Sequence, residues 1–254
     1  MIACRPIRAD EAENYLHLLC EVFDLDQSRA GQVFYSEPFY DLTRKWALFE
    51  HGVMTSILSM TPLEFGWGRA IGIAGVATRT SARGRGLGQR LLESALGASE
   101  EQAALLFAYR PTLYARVGFE VIDEVISGEL TIVPDPDEVE PIDTAEVKRL
   151  YSLWSEGHPD RLRRDAQRWE AWQWVYRPCE AFAGGYLCAE PMLCREVICT
   201  KASAAWPVMT GSRWSGLKSF TQLLQVPLSK TRHELLLMGR NMKSVPQMFM
   251  TDQF

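Results

Sequence analysis

The stretch from residue 70 to residue 96 constrains this chain more than any other. Residues 70–78 are small and β-branched and apolar on both faces, which reads as a central buried strand. Ser81-Ala82-Arg83-Gly84-Arg85-Gly86-Leu87-Gly88 follows, with three glycines alternating among basic and apolar residues. Leu87, Leu91, Leu92, Ala95 and Leu96 then recur at helical spacing. Strand, glycine-rich turn and helix in that order build an anion site. The first amide N–H groups of a helix have no partners within it, and the helix dipole adds partial positive charge. Glycines let a phosphate come close to the backbone. Arg83, Arg85 and Arg90 add full charges, so the expected ligand carries a pyrophosphate.

The commoner phosphate loops do not fit. GxxxxGK[ST] is absent, and Gly84, Gly86 and Gly88 are spaced GxGxG where the dinucleotide fingerprint needs GxGxxG. An Arg-Gly tract can also be a disordered RNA-binding segment. Its position between a buried strand and an amphipathic helix disfavours that, as does the net charge of −5, which gives no global field for gathering nucleic acid and mildly favours cationic small molecules. The cysteines at 4, 20, 179, 188, 194 and 199 form no CxxC pair and the histidines are scattered, so no metal site is expected. Met1-Ile2-Ala3-Cys4-Arg5-Pro6 does not read as a secretory signal, so a cytoplasmic location with reduced cysteines is expected. No apolar run approaches the ~20 residues of a membrane span, so no membrane partner is expected.

Around this stretch the chain reads as α/β. A helix is expected from Asp10, with Asp10 and Glu13 as a capping box and Tyr15, Leu16, Leu19, Cys20 and Phe23 at helical spacing. Residues 27–40 are polar and rich in aromatics. Strands are expected over 45–49 and 53–62, joined at His51-Gly52, then over 104–109 and within 119–133, with a short helical turn over 112–117 stopped by Gly118. Residues 134–141 are acidic and proline-rich and read as a linker. Beyond it the pattern starts again. At an offset of 130, Arg83, Gly86 and Leu87 fall on Arg213, Gly216 and Leu217, Leu105 on Leu235, Arg110 on Arg240, and Phe119 on Phe249. The reading is a duplicated domain, with residues 1–133 and 142–254 as the two copies.

Arg83-x-x-Gly86-x-Gly88, followed about thirty residues later by Tyr114-Ala115-Arg116-Val117-Gly118-Phe119, resembles the GCN5-related N-acetyltransferases (GNAT). The tandem order resembles the branch of enhanced-intracellular-survival aminoglycoside acetyltransferases. The first two domains of that branch are expected here, without its third, sterol-carrier-like one. The resemblance implies a tandem GNAT fold, with mixed central sheets flanked by helices, and acetyl-CoA as cosubstrate. Loop residues Arg83, Gly84, Arg85, Gly86, Leu87 and Gly88 would hold the pyrophosphate, and the strand Gly75, Val76, Ala77 and Thr78 the pantetheine arm. It implies transfer to a primary amine of a small molecule by direct attack, with Tyr114 as general acid. The terminal carboxylate, here at Phe254, would be the base. A homo-oligomer is left open.

A backbone N–H of Val76 or Ala77 would polarise the thioester carbonyl. By residue type alone, Glu64, His51 or water could also take the amine proton. The second copy carries Trp214 and Ser215 where the first has Gly84 and Arg85, Lys218 for Gly88, Ser244 for Tyr114 and Met248 for Gly118. It is expected to bind no CoA and to wall the acceptor cleft. Trp154, Trp169, Trp172 and Trp174 could line that cleft, though their helical spacing favours core packing. The rival reading is a non-catalytic acyl-CoA-binding sensor or scaffold.

Overall fold

In a computed structural model of the chain, the described residues are 1–131, 140–175, 179–182, 185–190, 193–199 and 213–254. Most of the expected linker and the side chain of Trp174 lie outside them. Strands β1 (Ile2–Pro6), β2 (Lys45–Glu50), β3 (Val53–Phe65) and β4 (Gly68–Thr78) pair antiparallel in sequence order. β5 (Ala103–Ala108) then joins β4 in parallel. A parallel neighbour needs a crossover, and helix α3 (Leu87–Ala98) supplies it. Leu87, Leu91, Leu92, Ala95 and Leu96 of α3 are all buried against Leu58, Ile71, Ile73 and Leu106 of the sheet. Helices α1 (Ala12–Phe23) and α2 (Gln27–Ser36) belong to a separate apolar cluster with Ala47, Ile57 and Ala77. The short α4 (Pro111–Ala115) leads into β6 (Glu120–Leu130).

The second half adds α5 (Thr144–Glu156), α6 (Ala166–Val175), α7 (Lys218–Leu223) and strands β7 (Glu140–Pro141), β8 (Leu162–Arg163), β9 (Cys179–Phe182), β10 (Gly185–Glu190), β11 (Leu193–Cys199), β12 (Arg213–Leu217) and β13 (Leu228–Arg240). The two expected sheets are joined into one, in the order β1-β2-β3-β4-β5-β13-β6-β12-β11-β10-β9-β7, with β8 beside β3. β13 of the second half lies between β5 and β6 of the first, and β6 lies between β13 and β12. Each half thus fills a gap in the other's sheet. β12 and β13 are both antiparallel to β6, hence parallel to each other, so β12-α7-β13 repeats the order of β4-α3-β5. One core cluster draws on both halves, with Leu63, Phe65 and Leu105 packed among Trp154, Trp214 and Phe249. No helix among the described residues is long and apolar enough to cross a membrane.

Two local expectations are corrected and one stretch left without an element gains one. The first helix is preceded by a 3-10 turn, Ala9–Glu11. The carboxylate that reaches back is that of Glu11, not Glu13, and neither bond of the expected Asp10 box forms. Glu11 accepts the Arg8 N–H at 2.8 Å and a two-pronged ion pair from Arg5 at 2.7 and 2.6 Å. The ion pair decides between neighbouring acids, and it holds Glu11 down at a pKa of about 2. Second, much of the aromatic-rich stretch is the helix α2, capped by Asp26, which accepts the Arg29 N–H at 2.8 Å. Third, Gly216 lies inside β12, and α7 starts directly after Leu217. A Cβ on Gly216 would lie 2.6 Å from the Trp214 indole nitrogen and 2.9 Å from Thr221 Oγ1, so this glycine serves packing, not a phosphate turn.

Candidate active site

The gap that makes the site opens along β4. Its pairing with β5 runs from Ala70 to Ile73 and stops at Ile73–Leu106. On the other side, the register with β3 shifts between Ile57 and Ser59, so that Gly75 and Val76 stand opposite Leu58 alone. This is a bulge, and Gly75 carries it with φ of +58°. A side chain there would be strained by φ and would also press on Leu19 at 3.3 Å. Gly75 and Val76 therefore have no register partner on either neighbouring strand. Their backbone polar groups are placed where β4 and β5 diverge.

A cavity of about 420 Å³ fills this divergence, lined by Gly75, Val76, Phe107, Tyr114, Gln253 and Phe254 among others. Tyr114 is presented by α4, which begins with Pro111 at its first turn and is followed by Gly118, which turns the chain at φ of +81°. Its ring meets Phe119 edge-on at 6.4 Å, and its hydroxyl has no protein hydrogen-bond partner among the described residues. Burial pushes the phenol above its ordinary value of 10, so it holds its proton through the neutral range. Phe254 enters from the other end of the sequence. Its ring lies on Gly72, where a Cβ would come within 2.5 Å of Cγ and 2.8 Å of Cε2, and it faces Phe107 at 5.4 Å between centroids. Glu64 sits at the far end of β3, opposite Arg69 and Arg163, and His51 sits at the β2–β3 turn, 3.4 Å from the terminal amine. Neither lines the Tyr114 cavity.

The glycine-rich loop lies past the C-terminal end of β4. Gly86 caps α3 with φ of +71°, and Gly84 has φ of +77°. A Cβ on either would meet no protein atom, so the fold requires their left-handed backbone and leaves the approach to the loop free of side chains. Gly88 differs, because its Cβ would lie 3.1 Å from Thr78 Oγ1. Its missing side chain lets α3 sit close to the end of β4. Leu87 points into the core, so only its backbone can serve the loop. Arg83 is exposed and donates from Nε to the Thr78 carbonyl at 3.1 Å. Arg85 is already committed to a two-pronged ion pair with Glu50. The backbone, Arg83 and the exposed Arg90 remain for an anion. These features fit a pyrophosphate.

A second cavity, about 540 Å³, opens on the other side of Gly75. α1, α2 and β3 wall it with Leu19, Arg29, Phe34, Glu37 and Ser59. Its α2 wall had one sequence signal, Asp26 as a cap before Val33 and Phe34, hidden by the polar character of the stretch. A third cavity, about 280 Å³, shares Ser59 and Ala74 with the second and Gln253 and Phe254 with the first. Trp172 lines it, while Trp154 and Trp169 are in the core.

In the second half the corresponding helix start is occupied by the protein itself. The Ser219 N–H and hydroxyl donate to the Asp123 carboxylate at 3.3 and 2.5 Å, and Lys218 is paired with Glu124. Two carboxylates from β6 thus stand where a phosphate would have to go.

Residues 3–122 match the family model of the acetyltransferase (GNAT) domain. No curated protein matches the chain in sequence. Among solved structures, a GCN5-related N-acetyltransferase from Kribbella flavida superposes with a TM-score of 0.72 at 14% identity, covering 94% of this chain and 70% of that one. Another from Anabaena variabilis gives 0.70 at 13%, covering 94% and 72%. Eis1 from Mycobacterium abscessus gives 0.63 at 12%, covering 92% and 73%. At such identities the likeness shows a shared fold, and that fold extends over both halves of this chain.

Proposed function

We propose that this chain, whose residues 3–122 match the family model of the acetyltransferase (GNAT) domain, is an acetyl-CoA-dependent N-acetyltransferase acting on a primary amine of a small molecule. The observation that carries this is the divergence of β4 and β5 at the Gly75 bulge, with the α3 loop at one end and Tyr114 facing the cavity between. The backbone N–H groups at the start of α3, with Arg83 and Arg90, bind the pyrophosphate. The β5-facing edge of Gly75, Val76, Ala77 and Thr78, beyond the last β4–β5 pair, takes up the amide-bearing arm. The cosubstrate supplies an acyl thioester and a thiolate leaving group.

A β4 backbone N–H at Val76 or Ala77 stabilises negative charge developing on the carbonyl oxygen. The amine enters from the cavity beside α2. As its nitrogen bonds to the acyl carbon, the C–S bond breaks and Tyr114 gives its proton to sulfur. In this reading, where the chain terminates at residue 254, the α-carboxylate of Phe254 takes the amine proton. In this reading residues 1–133 are the catalytic domain, 134–141 the linker and 142–254 a degenerate copy of the enhanced-intracellular-survival type, in a cytoplasmic protein.

Among the described residues no carboxylate or imidazole side chain lines the Tyr114 cavity, which favours one rival, an acyl-CoA sensor without turnover. Following free thiol released from acetyl-CoA against a panel of small amines separates the two. Amine-dependent release supports the enzyme. Tight CoA binding with no release by any amine supports the sensor.

A further inference from the structure

We infer that the Phe254 ring sets the length of the acyl chain, closing the site behind a short acyl group. This rests on the acyl-transfer reading above. The ring sits at the vertex of the β4–β5 gap, over Gly72, where the strands are paired again through Gly72–Leu105 and Ile73–Leu106. Phe254 and Gln253 line both the Tyr114 cavity of about 420 Å³ and its neighbour of about 280 Å³. They are the wall between the two. An acyl group held beside Gly75 and Tyr114 runs into this wall as it lengthens.

The wall is fixed from below. Arg164 donates from Nε and Nη2 to the Asp252 carboxylate at 2.9 and 2.8 Å, and from Nη1 and Nη2 to Glu196 at 3.2 and 2.6 Å. Arg164 Nη2 reaches Thr251 Oγ1 at 3.0 Å, and the Thr251 hydroxyl donates on to Glu196. The side chains of Arg164, Glu196 and Asp252 are 0%, 0% and 1% exposed. The last fixed residue is only two positions before Phe254, so the ring has little freedom to swing out of the gap. Replacing a packed aromatic ring with a methyl group leaves much of its volume open, because the surroundings relax only partly. In Phe254→Ala the two cavities merge.

The test compares acetyl-CoA with butyryl-CoA as donors to the same amine. One extra methylene in a closed apolar pocket is discriminated by about 10–200-fold, so wild type should disfavour butyryl-CoA by about 100-fold or more in kcat/KM. Phe254→Ala should shrink that ratio at least tenfold, whatever its absolute rate, and Phe254→Leu should do so in part. Leu retains an apolar plug if the alanine variant folds poorly. If either variant is too slow to assay, calorimetric affinities for the two acyl-CoAs read the same steric exclusion at the binding step, and the preference for acetyl-CoA should shrink there too. Acetyl-CoA binding with an unchanged length preference overturns the wall and leaves acyl transfer standing. Failure of wild type to bind either donor overturns acyl transfer, and the wall with it.

Discussion

Tyr114→Phe keeps the ring that meets Phe119 and removes only the proton. If the hydroxyl protonates the leaving thiolate, kcat falls by ~10²–10⁴-fold, about 3–5 kcal/mol of barrier, with acetyl-CoA affinity and Tm nearly unchanged. A tyrosine that merely packs would show the reverse, and kcat and Tm measured on one preparation tell them apart. The pH dependence has a definite sign. Burial raises the phenol above 10, so the acid is in its active, protonated form at neutral pH and any alkaline limb it contributes to kcat lies above that value. The motif around Tyr114 was legible in the sequence. The requirement for Gly75 was not, since a positive φ at a bulge depends on the register between β3 and β4.

At the scale of elements, α3 and α7 hold the same place in the strand–helix–strand order and have opposite capacities at their starts. The first turn of α3 faces solvent behind Gly84 and Gly86, whereas that of α7 is capped by Asp123 with Glu124 beside it. The expected stoichiometry by calorimetry is one CoA per chain, and a second equivalent bound would sink the distinction. The C-terminal segment is governed by Arg164. Burial alone would raise the Glu196 carboxyl, but the Arg164 charge and hydrogen bonds from Arg164, Thr251 and Tyr186 outweigh it and hold the group below its ordinary 4.5. A depressed carboxylate stabilises the fold fully above that value and loses its contribution as the pH falls through the lowered one. Arg164→Met strands two buried carboxylates, which costs about 3–5 kcal/mol and should lower Tm by roughly 6–20 °C at pH 7. The gap to wild type should narrow on acidification, because protonated carboxyls no longer need the guanidinium. Thermal melts from pH 7 to pH 4 read both effects, and a constant gap would contradict the account.

At the scale of the whole molecule, β13 fills the slot between β5 and β6, and the largest core cluster is shared by both halves. Residues 1–133 alone would present two unpaired strand edges beside an open apolar face. We predict that this fragment does not reach a native monomer, reporting little near-ultraviolet circular dichroism and self-associating on sedimentation, while the full chain gives both signals of a folded protein. A well-folded, monomeric 1–133 would show the halves to be independent.

The sequence by itself determined the α/β class, the order of strand, glycine-rich loop and helix over residues 70–96, and the Tyr114 motif. Each is encoded within a dozen or so neighbouring residues, through periodicity, glycine placement and the limits of local backbone geometry. It also marked the loss of the loop in the second half, although the 130-residue offset set Gly216 against a loop glycine when it packs on Trp214 inside a strand. The joining of two sheets into one, the seat of Phe254 on Gly72 and the Arg164 network were decided only by tertiary structure. They link residues 32 to 182 positions apart, and no local pattern records such contacts: any leucine-rich strand could fill the slot between β5 and β6, and a buried arginine is indistinguishable in sequence from an exposed one until its carboxylates arrive from β11 and the C-terminal turn.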